Sequence, residues 1–251
     1  MSSAFAVLIG SLMLLQTAHA QSTSFADLEA RGLRLVTSFA FARADGAELS
    51  AVVGGATPLR WSKAMTNTRT VLNEGLVIQK PVGSGTEERD GELSIVDIPA
   101  IRGAKAVWLF LELGGWSFGD SSTRNIYIGF GQRGDRLSAV TQMRFRGNSR
   151  AVDLNYEAIS EAEGATSGRP VKIGAAEEFT AQSYALEYRE AERIYALYRV
   201  EANGRLEKLG EGKTSPKRSA RTLHLLVRGG FNADLMESFT VRSVTVAVIP
   251  Q

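Results

Sequence analysis

The chain has 251 residues, with 29 Lys and Arg against 27 Asp and Glu, a net charge of +2, and no Cys. A balance this even argues against nucleic acid or an anionic membrane as partner, and the lack of Cys excludes disulfides, thiolate metal sites and Cys nucleophiles. A chain of this length can bury a core large enough to fold without covalent staples.

Residues Ala4–Leu15 (AFAVLIGSLMLL) are apolar, and Ala18-His19-Ala20 has the small-x-small form that signal peptidase accepts. At about 1.5 Å of rise per residue the run is short for a bilayer. Residues 1–20 therefore read as a cleavable signal peptide and 21–251 as one β-sandwich domain, with a buried helix as the plainer alternative for 4–15. Residues 1–20 contain no Lys or Arg, so only the α-amine supplies the positive n-region. No second apolar stretch of spanning length follows, so the expected destination is secreted, periplasmic or cell-surface, with no membrane span once the signal is removed. An exported chain without Cys suggests a bacterial route.

In residues 22–36, Ser24 is placed to cap a short helix, FADLEAR, that ends at Gly32. Short apolar runs then alternate with Gly, Asn, Asp and Pro. They are 38–44, 48–53, 75–80, 93–98, 105–113, 125–131, 140–145, 151–158, 222–228 and 238–249. Many short strands at this spacing predict a sandwich or barrel. If GNSR (147–150) is a turn, Phe145 faces Val152, Arg144 faces Asp153, Met143 faces Leu154 and Gln142 faces Asn155. One face is then apolar and the other polar, as a half-buried antiparallel pair requires. A second hairpin is expected across Asn203-Gly204, both of which tolerate positive φ. Residues 177–202 carry both periods. Tyr184, Leu186 and Tyr188 alternate as a strand would, while Tyr184, Tyr188, Ala191, Tyr195 and Tyr198 fall at helical spacing. The surrounding β pattern favours two strands meeting around Glu190–Arg193.

Gly129-Phe130-Gly131-Gln132-Arg133-Gly134 matches the dinucleotide fingerprint G-x-G-x-x-G. That site needs a helix after the third Gly, and the residues that follow alternate as a strand instead. A Gly-rich turn is the better reading. Of the two His, His19 leaves with the signal peptide and His224 stays. A zinc site built from His and Cys is thereby excluded, and His224 would have to serve in any Ser-His-Asp triad. Its plainer reading is an ordinary strand residue. For glycoside hydrolysis, the nearest acid cluster is Glu92–Asp97 (ELSIVD), and Glu112 stands alone in an apolar strand. Aromatic rings beside amides and charges suit sugars, because rings stack on sugar C–H faces and planar polar groups bind hydroxyls. The candidate ligand residues are Trp116 in a loop spanning Gly114–Gly119, Arg124, Tyr127, Gln142, Arg144, Asp153 and Asn155. Trp61 and Trp108 read as core. Polar outward faces are routine in antiparallel sheets, so Arg144–Asp153 also reads as a simple solvated pair. No catalytic residue, metal ligand or cofactor is assigned.

The order of elements resembles the concanavalin A-like lectin/glucanase superfamily, LamG-like jelly rolls included. The residues that carry this are FAFARADGAELS (39–50), Trp61, NEGLVIQK (73–80), KAVWLFLELGG (105–115), NIYIGFG (125–131), YALYRVEANGRLEKLG (195–210) and FTVRSVTVAVI (239–249). The resemblance implies an all-β, two-sheet antiparallel jelly-roll sandwich with a face that often binds carbohydrate. Retaining glucanases of this kind carry two Glu flanking an Asp on one strand, and that pattern is missing here. Some members bind calcium, but no Asp/Asn-rich loop marks such a site. The expected function is an exported, non-catalytic carbohydrate-binding or adhesive module with a glycan ligand. The alternatives are a carbohydrate-active enzyme, glycoside hydrolase or polysaccharide lyase, and a structural envelope component.

Overall fold

In the computed structural model, residues 23–40, 69–72, 75–79, 92–119, 124–132, 139–148, 150–160, 164–167, 171–178, 180–214, 219–228 and 237–251 are described. The signal segment, the run 48–53, Trp61 and the last two residues of the G-x-G-x-x-G motif lie outside them.

The first described turn forms as its sequence dictates. Ser24 Oγ accepts the Asp27 N–H, and the Asp27 carboxylate accepts the Ser24 N–H, which closes a capping box on helix α1 (Phe25–Ala30). Gly32 ends the turn at φ +85°.

The strands in chain order are β1 (Thr23–Ser24), β2 (Arg34–Ala40), β3 (Arg69–Leu72), β4 (Leu76–Gln79), β5 (Glu92–Asp97), β6 (Ala106–Ser117), β7 (Arg124–Gly131), β8 (Ala139–Gly147) and β9 (Val152–Ser160). They continue with β10 (Gly164–Ser167), β11 (Val171–Gly174), β12 (Glu177–Glu178), β13 (Gln182–Arg189), β14 (Ile194–Val200), β15 (Arg205–Lys213), β16 (Thr222–Arg228) and β17 (Ser238–Ile249). All described pairings are antiparallel. One sheet runs β1-β15-β14-β13-β6-β17-β4-β3, with β2 on the far part of β17 and β12 at the end of β6. The other runs β10-β9-β8-β7-β16-β5, with β11 also on β9.

Alternation decides which face of each strand is buried. Leu109, Leu111 and Leu113 of β6, Ile126, Ile128 and Phe130 of β7, Met143 and Phe145 of β8, and Leu223, Leu225 and Val227 of β16 meet in one core between the sheets. Aromatic rings lock the layers. Phe145 of β8 lies 5.3 Å from Phe239 of β17, and Tyr156 of β9 lies 6.0 Å from Tyr195 of β14. Each such side chain contributes about 1.5–3 kcal/mol through burial. The outer face of the larger sheet carries a second cluster, Trp108, Ala185, Ala196 and Tyr198, packed with the fully buried Leu28 of α1. Phe25 of α1 packs 4.8 Å from Phe110, the two rings tilted at 36°. On the same face the buried Glu187 accepts the Tyr198 hydroxyl at 2.9 Å.

Residues 177–202 resolve as strands, with β13 and β14 meeting at the turn 190–193 and Arg193 at φ 58°. The 140–158 hairpin forms with its faces as expected but its register two residues off. Phe145 pairs with Leu154, Arg144 with Asn155 and Gln142 with Glu157. The cause is local. Asn148 Oδ1 accepts the Arg150 and Ala151 N–H groups at 2.9 and 3.2 Å, so the chain reverses later than a 147–150 turn would allow. A shift of two preserves every face, which is why the apolar and polar sets survive it. The 199–208 hairpin has a three-residue loop, with Glu201 N–H donating to Arg205 and Gly204 at φ +79°, instead of a two-residue Asn-Gly turn. Leu206 thereby opposes Val200 and joins the outer cluster.

Candidate functional site

The centre of the smaller sheet gathers most of the candidate ligand residues on its outward face. Three cross-strand rows define it. Leu226, Tyr127, Arg144 and Asn155 form one, and His224, Gly129, Gln142 and Glu157 the next. Asn125, Arg146, Asp153 and Lys172 form the third. Neighbours in a row lie about 5 Å apart, so the pairing sets Tyr127 beside Arg144, and Arg146 beside Asp153 and Lys172. Tyr127, Gln142 and His224 are buried and make the floor, while Arg144 and Asp153 are partly exposed and make the accessible part.

Gly129 organises this floor. His224 and Gln142 stand on strands separated by β7, a gap of about 10 Å between backbones. Yet His224 Nε2 lies 2.8 Å from Gln142 Oε1. The two side chains close over the strand between them because residue 129 has no side chain. A Cβ there would fall 2.5 Å from Gln142 Cα. The fingerprint glycine thus serves close packing of side chains. β7 continues through Gly131, and the next described element, β8, is a strand paired antiparallel to it.

Burial holds His224 well below its ordinary range, down to about 4 from 6.5, so the imidazole is neutral at neutral pH. With the Gln142 amide in this orientation, Nε2–H donates. Between these two values the unfolded chain binds the extra proton and the folded chain does not, so acidification favours unfolding. The thermal midpoint of the protein is therefore expected to fall as pH drops from about 6.5 toward about 4. A pH series of melts on His224→Gln should show a shallower fall in that window. Equal slopes would mean that the buried imidazole contributes nothing.

Two candidate ligand residues stand elsewhere. Trp116, expected in a loop, lies in β6, which runs unbroken to Ser117. Its ring is in the core beside Phe239, and Nε1 donates to the Ala175 carbonyl at 2.9 Å. The two glycines before it bend the strand without ending it: Gly115 takes φ +146°, and the pairing to β17 skips Gly114. Arg124 is also buried. Its Nε lies 3.0 Å from Glu237 Oε2, whose other oxygen accepts the Gly119 N–H at 2.9 Å. Neither side chain can meet a sugar. The Arg144–Asp153 pair is replaced by Arg146–Asp153, a consequence of the two-residue register shift.

The site also holds residues outside the expected set: His224, Arg146 and Lys172. The phase of TLHLLVR already put His224 opposite the apolar residues, but only pairing to β7 shows that it borders Gln142. Elsewhere, Glu112 of β6 faces outward from the larger sheet, where Ser243 Oγ donates to it at 3.3 Å. Among the described residues no three His, Cys, Asp or Glu side chains gather as a metal ion requires.

No protein-family model and no curated protein matches the sequence. Solved structures do match in shape. The carbohydrate recognition domain of Emp47p superposes with a TM-score of 0.51 at 9% identity, over 86% of this chain and 96% of that one. The CBM2 module of the evolved Dit of Lactobacillus casei BL23 phage J-1 gives 0.51 at 8% identity, over 87% and 97%. The fold is a concanavalin A-like jelly roll. The exoplasmic/lumenal domain of VIP36, in a form bound to Ca2+ and Man, gives 0.50 at 7% identity, over 85% of this chain and 90% of that one. At such identities the likeness concerns the concanavalin A-like fold, and function must be argued from the side chains.

Proposed function

We propose that this chain is an exported, non-catalytic carbohydrate-binding module, and that the outward face of its seven-stranded sheet is the glycan surface. The observation that carries the reading is the accessible part of that face: Arg144, Arg146, Asp153 and Lys172 stand on neighbouring strands in register, beside the buried Tyr127 and Gln142. Planar donors and acceptors at cross-strand spacing can follow the hydroxyls of a sugar chain lying across the strands. That two structures of this shape are a carbohydrate recognition domain and a CBM2 module supports the reading. Export is supported by the apolar run and by Ala18-His19-Ala20. A cut after Ala20 would leave β1 intact, since that strand begins at Thr23. N-terminal sequencing of secreted material should start near Gln21.

A glycan array followed by titration tests the function. Arg144→Ala and Asp153→Ala are each expected to weaken the best binder about tenfold or more, because a hydrogen bond to a charged group contributes roughly 1.5–3 kcal/mol. An array without hits, or binding that ignores both substitutions, would count against this surface.

One observation favours a second reading, a polysaccharide lyase. Tyr127, Arg144 and His224 share this face, with Gln142 between them, and a neutral imidazole is the form that accepts a proton. Incubation with a uronate polymer and ultraviolet detection of unsaturated ends decides it. No new absorbance removes the enzyme.

A further inference from the structure

Alternation breaks at one end of the sandwich. Along β13 the inward positions are Gln182, Tyr184, Leu186 and Tyr188, and along β14 they are Tyr195, Leu197 and Arg199. Tyr184 pairs with Arg199, and Arg199 with Glu207 of β15. Three polar side chains, Gln182, Arg199 and Glu207, thus occupy the phase that elsewhere supplies the core. Burying such groups against hydrocarbon would be costly. Here they do not meet hydrocarbon. The chain crosses from β11 of one sheet to β12 of the other at this edge, held by the Trp116–Ala175 and Phe118–Ala176 hydrogen bonds. Between that crossing and the 201–204 turn the sheets part, and an open groove of about 500 Å³ remains. Its lining includes Ile173, Gln182, Ser183, Tyr184, Arg199 and Glu201.

The groove is preorganised. Gln182 Nε2 donates to the Ile173 carbonyl at 3.3 Å, and the Tyr184 hydroxyl donates to Gln182 Oε1 at 2.5 Å. Tyr184 is otherwise buried, and burial holds its hydroxyl protonated, its pKa pushed up to about 12. Charge is balanced. Arg199 pairs with Glu207 at 3.3 Å, and Glu201 with Arg205 at 3.6 Å. The volume falls within the roughly 300–1,000 Å³ of small-ligand sites.

The geometry points to a second binding site here, separate from the sheet face, for a neutral polyhydroxylated ligand of the size of a mono- or disaccharide. The Gln182 amide, the Tyr184 phenol and the Arg199 guanidinium share the inward phase of neighbouring strands and line the groove, with Ile173 of the other sheet. Groups of these kinds donate to and accept from hydroxyls, and the balanced charge gives no preference for an anion or a cation. The site does not depend on the sheet-face reading.

The test is titration of the whole chain with maltose, cellobiose and mannobiose, followed by ligand-observed NMR. At least one disaccharide is expected to bind. Gln182→Ala and Arg199→Ala should each weaken it about tenfold or more. Ala181→Trp, at an exposed lining residue, should block the groove without touching the polar cluster, and it guards against a variant that fails to fold. Binding of none of the three sugars, or binding indifferent to all the groove substitutions, overturns the site. Loss on Arg144→Ala alone overturns it too, and leaves the sheet face standing.

Discussion

Glu237→Ala is expected to lower the unfolding free energy by about 3–5 kcal/mol. The Glu237 and Arg124 side chains are only 1% and 5% exposed, so neither charge has water to fall back on. Glu237 stands just before β17 and Arg124 opens β7. The pair therefore ties a strand of one sheet to a strand of the other. Removing the carboxylate leaves a buried guanidinium without its counter-charge and takes the acceptor from the Gly119 N–H. The pair itself need not be strongly stabilising, since desolvation offsets much of its attraction. Hence the double substitution Arg124→Met with Glu237→Leu should recover a large part of the loss. Urea unfolding of the three variants checks both statements. A loss below about 1 kcal/mol for Glu237→Ala would place the pair in water and restore Arg124 as a ligand candidate.

Trp116→Ala is expected to cost about 3–5 kcal/mol, the range for emptying a large aromatic from a core. Three contacts set this. The ring stacks 6.4 Å from Phe239, it packs against Gly174, and its Nε1 holds the Ala175 carbonyl at the crossing between sheets. Trp116→Phe keeps most of the packing and loses the hydrogen bond, so it should cost about 1–2 kcal/mol instead. Thermal melts measure the ranking. A surface Trp that stacks on sugar would behave in the opposite way, with stability intact and glycan binding lost. Retained stability in Trp116→Ala would return that ring to the list of ligand residues.

These two residues show where reading the chain in one dimension stops. Alternation of period two states which residues share a face, and on that basis Met143, Phe145, Val152 and Leu154 were assigned to the core and Gln142, Arg144, Asp153 and Asn155 to the other side. The division stands because a register error of two leaves every face unchanged. Capping is equally local. Ser24, Asp27 and Gly32 lie within nine positions of one another, and their hydrogen bonds need nothing from the rest of the fold. Loop length is less legible. Ala202-Asn203-Gly204 and Asn203-Gly204 are both reasonable turns, and the burial of Leu206 against the outer cluster selects the longer one.

The proposed glycan surface lies further still from the linear pattern. His224 and Gln142 are 82 positions apart and touch only because β16, β7 and β8 are neighbours and Gly129 lies between them. Arg124 and Glu237, 113 positions apart, neutralise each other for the same kind of reason. The sequence by itself determined the all-β class, the buried and outward sets of each strand, and the helix cap, since these rest on side-chain periodicity and on hydrogen bonds a few residues long. The tertiary structure decided the register, the inward turn of Trp116, the pairing of Arg124 with Glu237, the closing of His224 over Gly129, and the groove at Tyr184. Those depend on which strands lie side by side, and strand pairing is a contest among distant segments that no local preference resolves.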